Sequence, residues 1–316
     1  MAAARPRDLG AARHALAARL APGGARAAAR AMVAAYFVNA VWGEVEAWRH
    51  LRTPEAHRAV ARWADEAAAA GGVRFPLGHV LGVLPAALAA AHPGSPWACA
   101  AALLAWTAGK DAWLTWRLLK GMLLHGARLT ELLVKQLALV GAAAMVLADS
   151  LTDGRRRALR TAGLLRASDA PPRPGARRST LLLLGRLMVA ALLVQRMRAR
   201  AEAARFGGGE GAPQHYGRPD PRDSWLLLGQ CALALPLALG VRTRVVARAL
   251  AAALLLHAVS AWSWWDGRWP SWALRATARE SFFANVAVAG GLVLMQAQGA
   301  GPGALSVDAL RAGRQD

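Results

Sequence analysis

Apolar runs separated by short polar stretches recur along the whole chain, near residues 28–48, 74–91, 97–119, 131–149, 180–196, 224–240, 245–265 and 280–298. An apolar run of about twenty residues can cross a hydrocarbon core as a helix, because lipid satisfies no backbone group. The pattern predicts an all-α, polytopic transmembrane bundle of eight spans, with seven as the alternative count because several runs are short. Phe75 to Gly109 carries no Asp, Glu, Lys or Arg, but His92-Pro93-Gly94-Ser95-Pro96 divides it into a tight helical hairpin. Gly240-Val241-Arg242-Thr243-Arg244 does the same between the sixth and seventh segments. A hinge this short forces those two helices to lie antiparallel and adjacent.

The polar stretches set the expected organisation. The first 27 residues are rich in Ala and Arg with one acid, Asp8. Leu9, Leu16 and Leu20 fall broadly on one face, which predicts a cytosolic amphipathic helix ended by Pro22 before a bundle over 28–298. The composition of this segment also resembles an organelle transit peptide. The connection 150–179 holds Arg155, Arg156, Arg157, Arg160, Arg166, Arg173, Arg177 and Arg178 with three prolines, and reads as a solvated loop. Arg-rich loops stay cytosolic. With eight spans this places both termini, and so the tail 299–316, in the cytosol.

Composition sharpens the class. Hydrophobic residues make up 55% of the 316, and 13 Trp stand against 2 Tyr and 5 Phe, as suits rings that sit at a membrane interface. The formal charge of +20 invites a nucleic-acid reading. Its arginines lie mainly between apolar runs, however, and no recognition motif with interleaved aromatics occurs, so no nucleic-acid partner is expected. Cys99 and Cys231 lie inside apolar stretches and form no metal framework. No Ser-His-Asp arrangement, HExxH, Gly-rich phosphate loop or CxxC is present, and the eight histidines are scattered singly. The expectation is a protein that is not an enzyme and takes no cofactor or metal.

Polar residues inside apolar runs are costly and therefore candidates for function. Glu44 and Glu46 lie late in the first segment and, two apart, point to different helix faces. Lys135 and Gln136 open the uncharged stretch Leu137–Ala148, Arg186 follows Gly185, and Asn285 lies one turn into the last segment. Any of these could pair across the bundle. His257 is the deepest histidine.

Several of these features occur together in a known order. Lys135-Gln136-Leu137-Ala138-Leu139 runs to Ala148-Asp149-Ser150; Gly185-Arg186-Leu187 opens a helix; Gly240, Arg242, Thr243 and Arg244 make a hairpin. Phe282-Phe283, Gly290-Gly291, Gly301-Pro302-Gly303, Ser306 and Asp308 complete the series. Over roughly residues 130–310 this resembles the Surfeit-locus family of ER cargo receptors. The resemblance implies a non-enzymatic, multi-pass receptor in the ER membrane, cycling through the ER-Golgi intermediate compartment to the Golgi. Such a receptor loads soluble secretory proteins into transport vesicles, recognising segments near their N-termini, and engages vesicle coat components on the cytosolic side. Homo-oligomers remain open. A pocket for a free amine needs carboxylates and an apolar wall. Glu44 and Glu46 with Trp262, Trp264 and Trp265 at the end of the seventh segment are the candidates.

Two positions depart from the family pattern. Asn39-Ala40 stands where the family carries an acidic pair, and the chain closes on Gly313-Arg314-Gln315-Asp316 without the usual dilysine. The family also looks distantly like DoxX-type membrane proteins, so a small-molecule or lipid-handling protein is the alternative reading.

Overall fold

Ala and Leu, strong helix formers, dominate the apolar segments, and in the computed structural model each of those segments contains a helix. The structure describes residues 22–51, 76–92, 97–110, 131–161, 176–205, 221–267, 269 and 271–298. Among these the order is α1 (Pro22–Leu51), a π-helical turn (His79–Val83) leading into α2 (Leu84–Ala91), α3 (Trp97–Lys110), α4 (Glu131–Thr161), α5 (Ala176–Arg205), α6 (Pro221–Leu239), α7 (Thr243–Ala261) and α8 (Trp272–Gln298). No strand occurs among the described residues.

Four of the helices contain stretches long and apolar enough to cross a membrane: Val134–Leu151, Arg177–Arg198, Thr243–Ala261 and Leu274–Gln296. His79–Ala91, Trp97–Gly109 and Leu228–Leu239 are shorter apolar helices. The outer surface is apolar as well. Leu77, Leu81 and Leu88 form an exposed stripe before and along α2, and Leu228, Leu235 and Leu239 form one on α6. Water would penalise such stripes, whereas lipid accepts them.

Each helix packs against the next, α8 returns to α1, and α4 and α8 also touch each other through the middle. That cross-wall divides the interior into two cores. Val33, Phe37, Ala87, Leu103, Ala143 and Leu294 belong to the core built by α1–α4 and α8. Leu193, Leu237, Leu250, Met145 and Leu292 belong to the core built by α4–α8. Glycines set the closest approaches. A Cβ on Gly290 would come within 2.6 Å of the Ala29 carbonyl oxygen, and one on Gly291 within 3.1 Å of the Ala142 Cα. Small residues let helices approach this closely, which is how helices associate where the hydrophobic effect is absent.

The α6–α7 hinge matches expectation. Gly240 has φ 71°, its N–H donates to the Leu237 carbonyl, and the Val241 N–H donates to the Pro236 carbonyl. These are the two bonds of a Schellman stop. Arg242 then adopts φ 46° immediately before α7. In α2 the π-helical turn precedes Pro85. A proline ring clashes with the carbonyl four residues earlier, and the widened turn accommodates it.

Several expected boundaries move. Pro22 starts α1 instead of ending a helix, because a missing N–H costs nothing in a first turn; the expected amphipathic stretch 9–20 lies outside the described residues. The 150–179 connection is not all loop. α4 continues through Arg155–Arg157 to Thr161, and α5 begins at Ala176. Arg, Leu and Ala sustain a helix, and the first proline after Asp149 comes only at Pro171. α8 begins at Trp272, eight residues before the expected start.

Candidate functional site

Ion pairs show how the helices alternate. Arg30 near the start of α1 meets Asp149 late in α4, and the end of α2 contributes the His92 carbonyl. At the opposite end, Glu46 late in α1 meets Arg279 early in α8, and Lys135 early in α4 meets Glu280 of α8. The start of α1 and the end of α8 therefore lie at one end of the bundle. The ends of α1, α5 and α7 meet the starts of α4 and α8 at the other.

That second end gathers most of the candidate residues. Arg279 Nη2 donates to Glu46 Oε2 in a short contact, and the guanidinium carbon lies 5.9 Å over the Trp264 ring centroid. Arg279 Nε is buried without a hydrogen-bond partner. A charged hydrogen bond of this kind is worth roughly 1.5–3 kcal/mol when shielded from water. Lys135 Nζ donates to Ser281 Oγ at 3.2 Å and lies 3.6 Å from Glu280 Oε1. Asn285 Nδ2 donates to the Ser281 carbonyl at 2.9 Å, and its Oδ1 accepts from Arg196 Nη1 at 3.0 Å. Residues of α1, α4, α5 and α8 are thus tied together along the first half of α8.

Aromatic rings surround this polar patch. Trp262 stacks on Trp269 at 6.3 Å, and Trp269 Nε1 donates to the Ser263 carbonyl. Trp264, Trp265, Phe282 and Phe283 follow one another edge to face. His50 stacks on Trp272 at 4.4 Å, joining the ends of α1 and α8. The Nε1 atoms of Trp262 and Trp264 are buried without a hydrogen-bond partner. Buried indoles usually find one.

The expected site residues divide accordingly. Glu46, Trp262, Trp264, Trp265, Lys135 and Asn285 share the Trp-rich end. Glu44 is half-buried on a different face of α1 from Glu46, and Gln136 is half-buried one residue past Lys135. Arg186 is 4% exposed but lies deeper in α5, beside the Gly185–Met145 contact. Gly240, Arg242, Thr243 and Arg244 form the hinge at the opposite end.

The sequence reading missed Arg279, Arg196 and Glu280, which complete the polar end. It also missed the Arg30–Asp149 pair, although Asp149 stands in the Ala148-Asp149-Ser150 motif. Arg30 Nε donates to Asp149 Oδ2 at 2.7 Å, its Nη2 lies 2.6 Å from the same oxygen, and its Nη1 donates to the His92 carbonyl at 3.1 Å. Both side chains are at most 1% exposed. An arginine in the first turns of an apolar segment was the available signal. Among the described residues no group of three His, Cys, Asp or Glu side chains comes together to hold a metal ion.

No protein-family model, curated protein or solved structure matches the chain. Among the described residues, the class that the fold defines is an all-α protein with four helices long and apolar enough to span a membrane.

Proposed function

We propose that this chain is a multi-pass membrane receptor that captures soluble secretory proteins at its Trp-rich end and loads them into ER-to-Golgi vesicles. In this reading all eight helices span the ER membrane, the Trp-rich end faces the lumen, and the start of α1 and end of α8 face the cytosolic coat. The motif series from Lys135 to Asp308 supports the family, and one observation carries the site. Glu46, its partner Arg279 and the Trp264 ring stand together at one end of the bundle. An N-terminal ammonium, with a pKa around 7.7–8.0, takes the place of Arg279 on the Glu46 carboxylate. Arg279 stays over Trp264, which can hold a cation without a counter-ion. The Trp262–Trp269 stack provides an apolar wall for the following residues.

The test is capture of luminal proteins by crosslinking in intact microsomes. Glu46→Gln, with Glu44→Gln added in a second variant, removes charge and keeps size; either the single or the double variant should reduce capture. Undiminished capture by the double variant at normal protein level overturns the site.

The DoxX-type alternative draws on a different observation. The π-helical turn before Pro85, Pro236 within α6 and the buried Arg30–Asp149 pair are features of solute pathways. Solute flux in proteoliposomes that Arg30 or Asp149 variants abolish would favour it.

A further inference from the structure

Packing in this bundle follows a rule of four. Helix α4 packs on α5 as α8 packs on α1, α3 on α4 as α7 on α8, α1 on α2 as α5 on α6, and α2 on α3 as α6 on α7. The two cores fall on either side of the α4–α8 wall. Adding four to each helix number maps the contact pattern onto itself.

The sequence obeys the same mapping. Residues 29–39 read ARAMVAAYFVN and residues 185–195 read GRLMVAALLVQ, with six of eleven identical. Residues 77–88, LGHVLGVLPAAL, and 228–239, LGQCALALPLAL, share six of twelve, including Leu84-Pro85 and Leu235-Pro236. Residues 100–104 and 251–255 both read AAALL. Helices α4 and α8 share Glu131/Glu280, the amides Gln136/Asn285, Ala138/Ala287 and Gly141/Gly290, all at one spacing. Matches of Ala and Leu alone would mean little in so Ala-rich a chain. Arginine, proline, glycine and amide positions also match, and Arg30 and Arg186 are buried alike.

Contacts confirm the register independently. A Cβ on Gly290 would meet the Ala29 carbonyl and Met32 Cβ; one on Gly141 would meet the Gly185 carbonyl and Met188 Cβ. These are the same contacts under the mapping, since Ala29 corresponds to Gly185 and Met32 to Met188. Gly291 faces Ala142, its own counterpart. In an isologous interface, residues that touch their own equivalents lie on the two-fold axis.

We infer that the chain is an internal duplication: two four-helix units, α1–α4 and α5–α8, related by a pseudo-two-fold axis passing between Ala142 and Gly291. An even number of helices per unit gives both units the same orientation, so the axis runs along the bundle and, in a bilayer, along the membrane normal. The α4–α8 wall with its α4–α5 and α8–α1 flanks is the interface of a fused dimer, and the partner each unit fits is a second copy of that unit. Neither polar cluster is repeated in full: at the Trp-rich end Lys135, Arg196 and Arg279 correspond to Ala284, Ala40 and Thr130, and at the opposite end Asp149 corresponds to Gln298.

The test uses the full-length chain. An experimental structure of the wild-type protein in nanodiscs should show one rotation near 180° that carries Arg30 onto Arg186, Pro85 onto Pro236 and Gly141 onto Gly290 together. A second arm exchanges segments 29–39 and 185–195 within the full chain. The exchanged protein should elute as a monodisperse species from detergent, whereas the same exchange displaced by one residue should aggregate. Equal behaviour of the in-register and displaced exchanges counts against duplication. Failure of any single rotation to superpose the three pairs overturns it, whether or not the exchange variants fold.

Discussion

Arg30 and Asp149, 119 residues apart in the chain, form a fully buried ion pair that fastens α1 to α4 and reaches the end of α2 through the His92 carbonyl. Burying two charges is expensive, and mutual attraction offsets that only while both partners are present.

Removing either partner should therefore hurt more than removing both. Asp149→Leu alone should destabilise by about 3–5 kcal/mol, and Arg30→Met by somewhat less because Arg26 Nε lies 4.0 Å from Asp149 Oδ1, with the double variant recovering much of the loss. Thermal unfolding in detergent, followed by tryptophan fluorescence, reads the difference. Additive losses would mean that the pair does not act as a unit.

Helix contacts at glycine should rank by the space available. Gly290→Ala places a methyl 2.6 Å from the Ala29 carbonyl oxygen, a backbone atom that cannot swing away. Overpacking of this kind costs about 1–3 kcal/mol. Gly141→Ala meets its neighbours at 3.1–3.3 Å and should cost less, while Gly43→Ala has nothing within 4 Å and should be neutral. Melting temperatures of the three variants should follow that order.

The α6–α7 hinge depends on a left-handed residue. Gly240→Ala puts a Cβ where φ is 71°, for roughly 1–2 kcal/mol of strain. Arg242→Gly relieves the φ of 46° at the neighbouring site and should partly offset the loss in the double variant. The same unfolding measurement checks both.

Under the proposed receptor function, Arg279 and Glu46 should have opposite effects on cargo capture. Glu46→Gln removes the carboxylate and should weaken crosslinking of luminal proteins by about tenfold or more, since a charge-assisted hydrogen bond is worth roughly 1.5–3 kcal/mol and about 1.4 kcal/mol is tenfold. Arg279→Met exposes the carboxylate and should strengthen it. If both variants reduce capture equally, the pair matters only as a structural clamp.

Orientation can be read with a tag. Under the cytosolic assignment of the connection between α4 and α5, a tag near Pro172 should be cut by protease in sealed microsomes. A protected tag would invert the assignment.

Much of this arrangement could be read from residues close together in the chain. The hinge at Gly240 was legible because a Gly followed closely by polar residues stops one helix and starts another. Gly290-Gly291 signalled close packing, and the Trp run at 262–265 signalled an end of the bundle beside Glu46. The polar end was only half legible. Arg279 sits just before the last uncharged stretch, and nothing local says that it will reach Glu46. The Arg30–Asp149 pair was hidden for the same reason, since its partners meet only through tertiary packing. The Arg155–Arg157 run was misread because charge density suggests a loop, whereas arginine is a good helix former. The internal repeat was masked by Ala and Leu, which make every apolar helix resemble the others until contacts fix the register.

α8 supplies side chains to both cores and closes the ring against α1. During synthesis α1 emerges first among the described helices and must wait until some 220 residues later for its main neighbour. Until α8 is made, the Ala29–Met32 face and the Ala142 face stand uncovered, so chains stalled before Trp272 should be recognised by membrane quality control as unfinished. Completion of both cores thus waits on a single helix, and a defect in that helix should be felt as loss of the whole protein instead of loss of one activity.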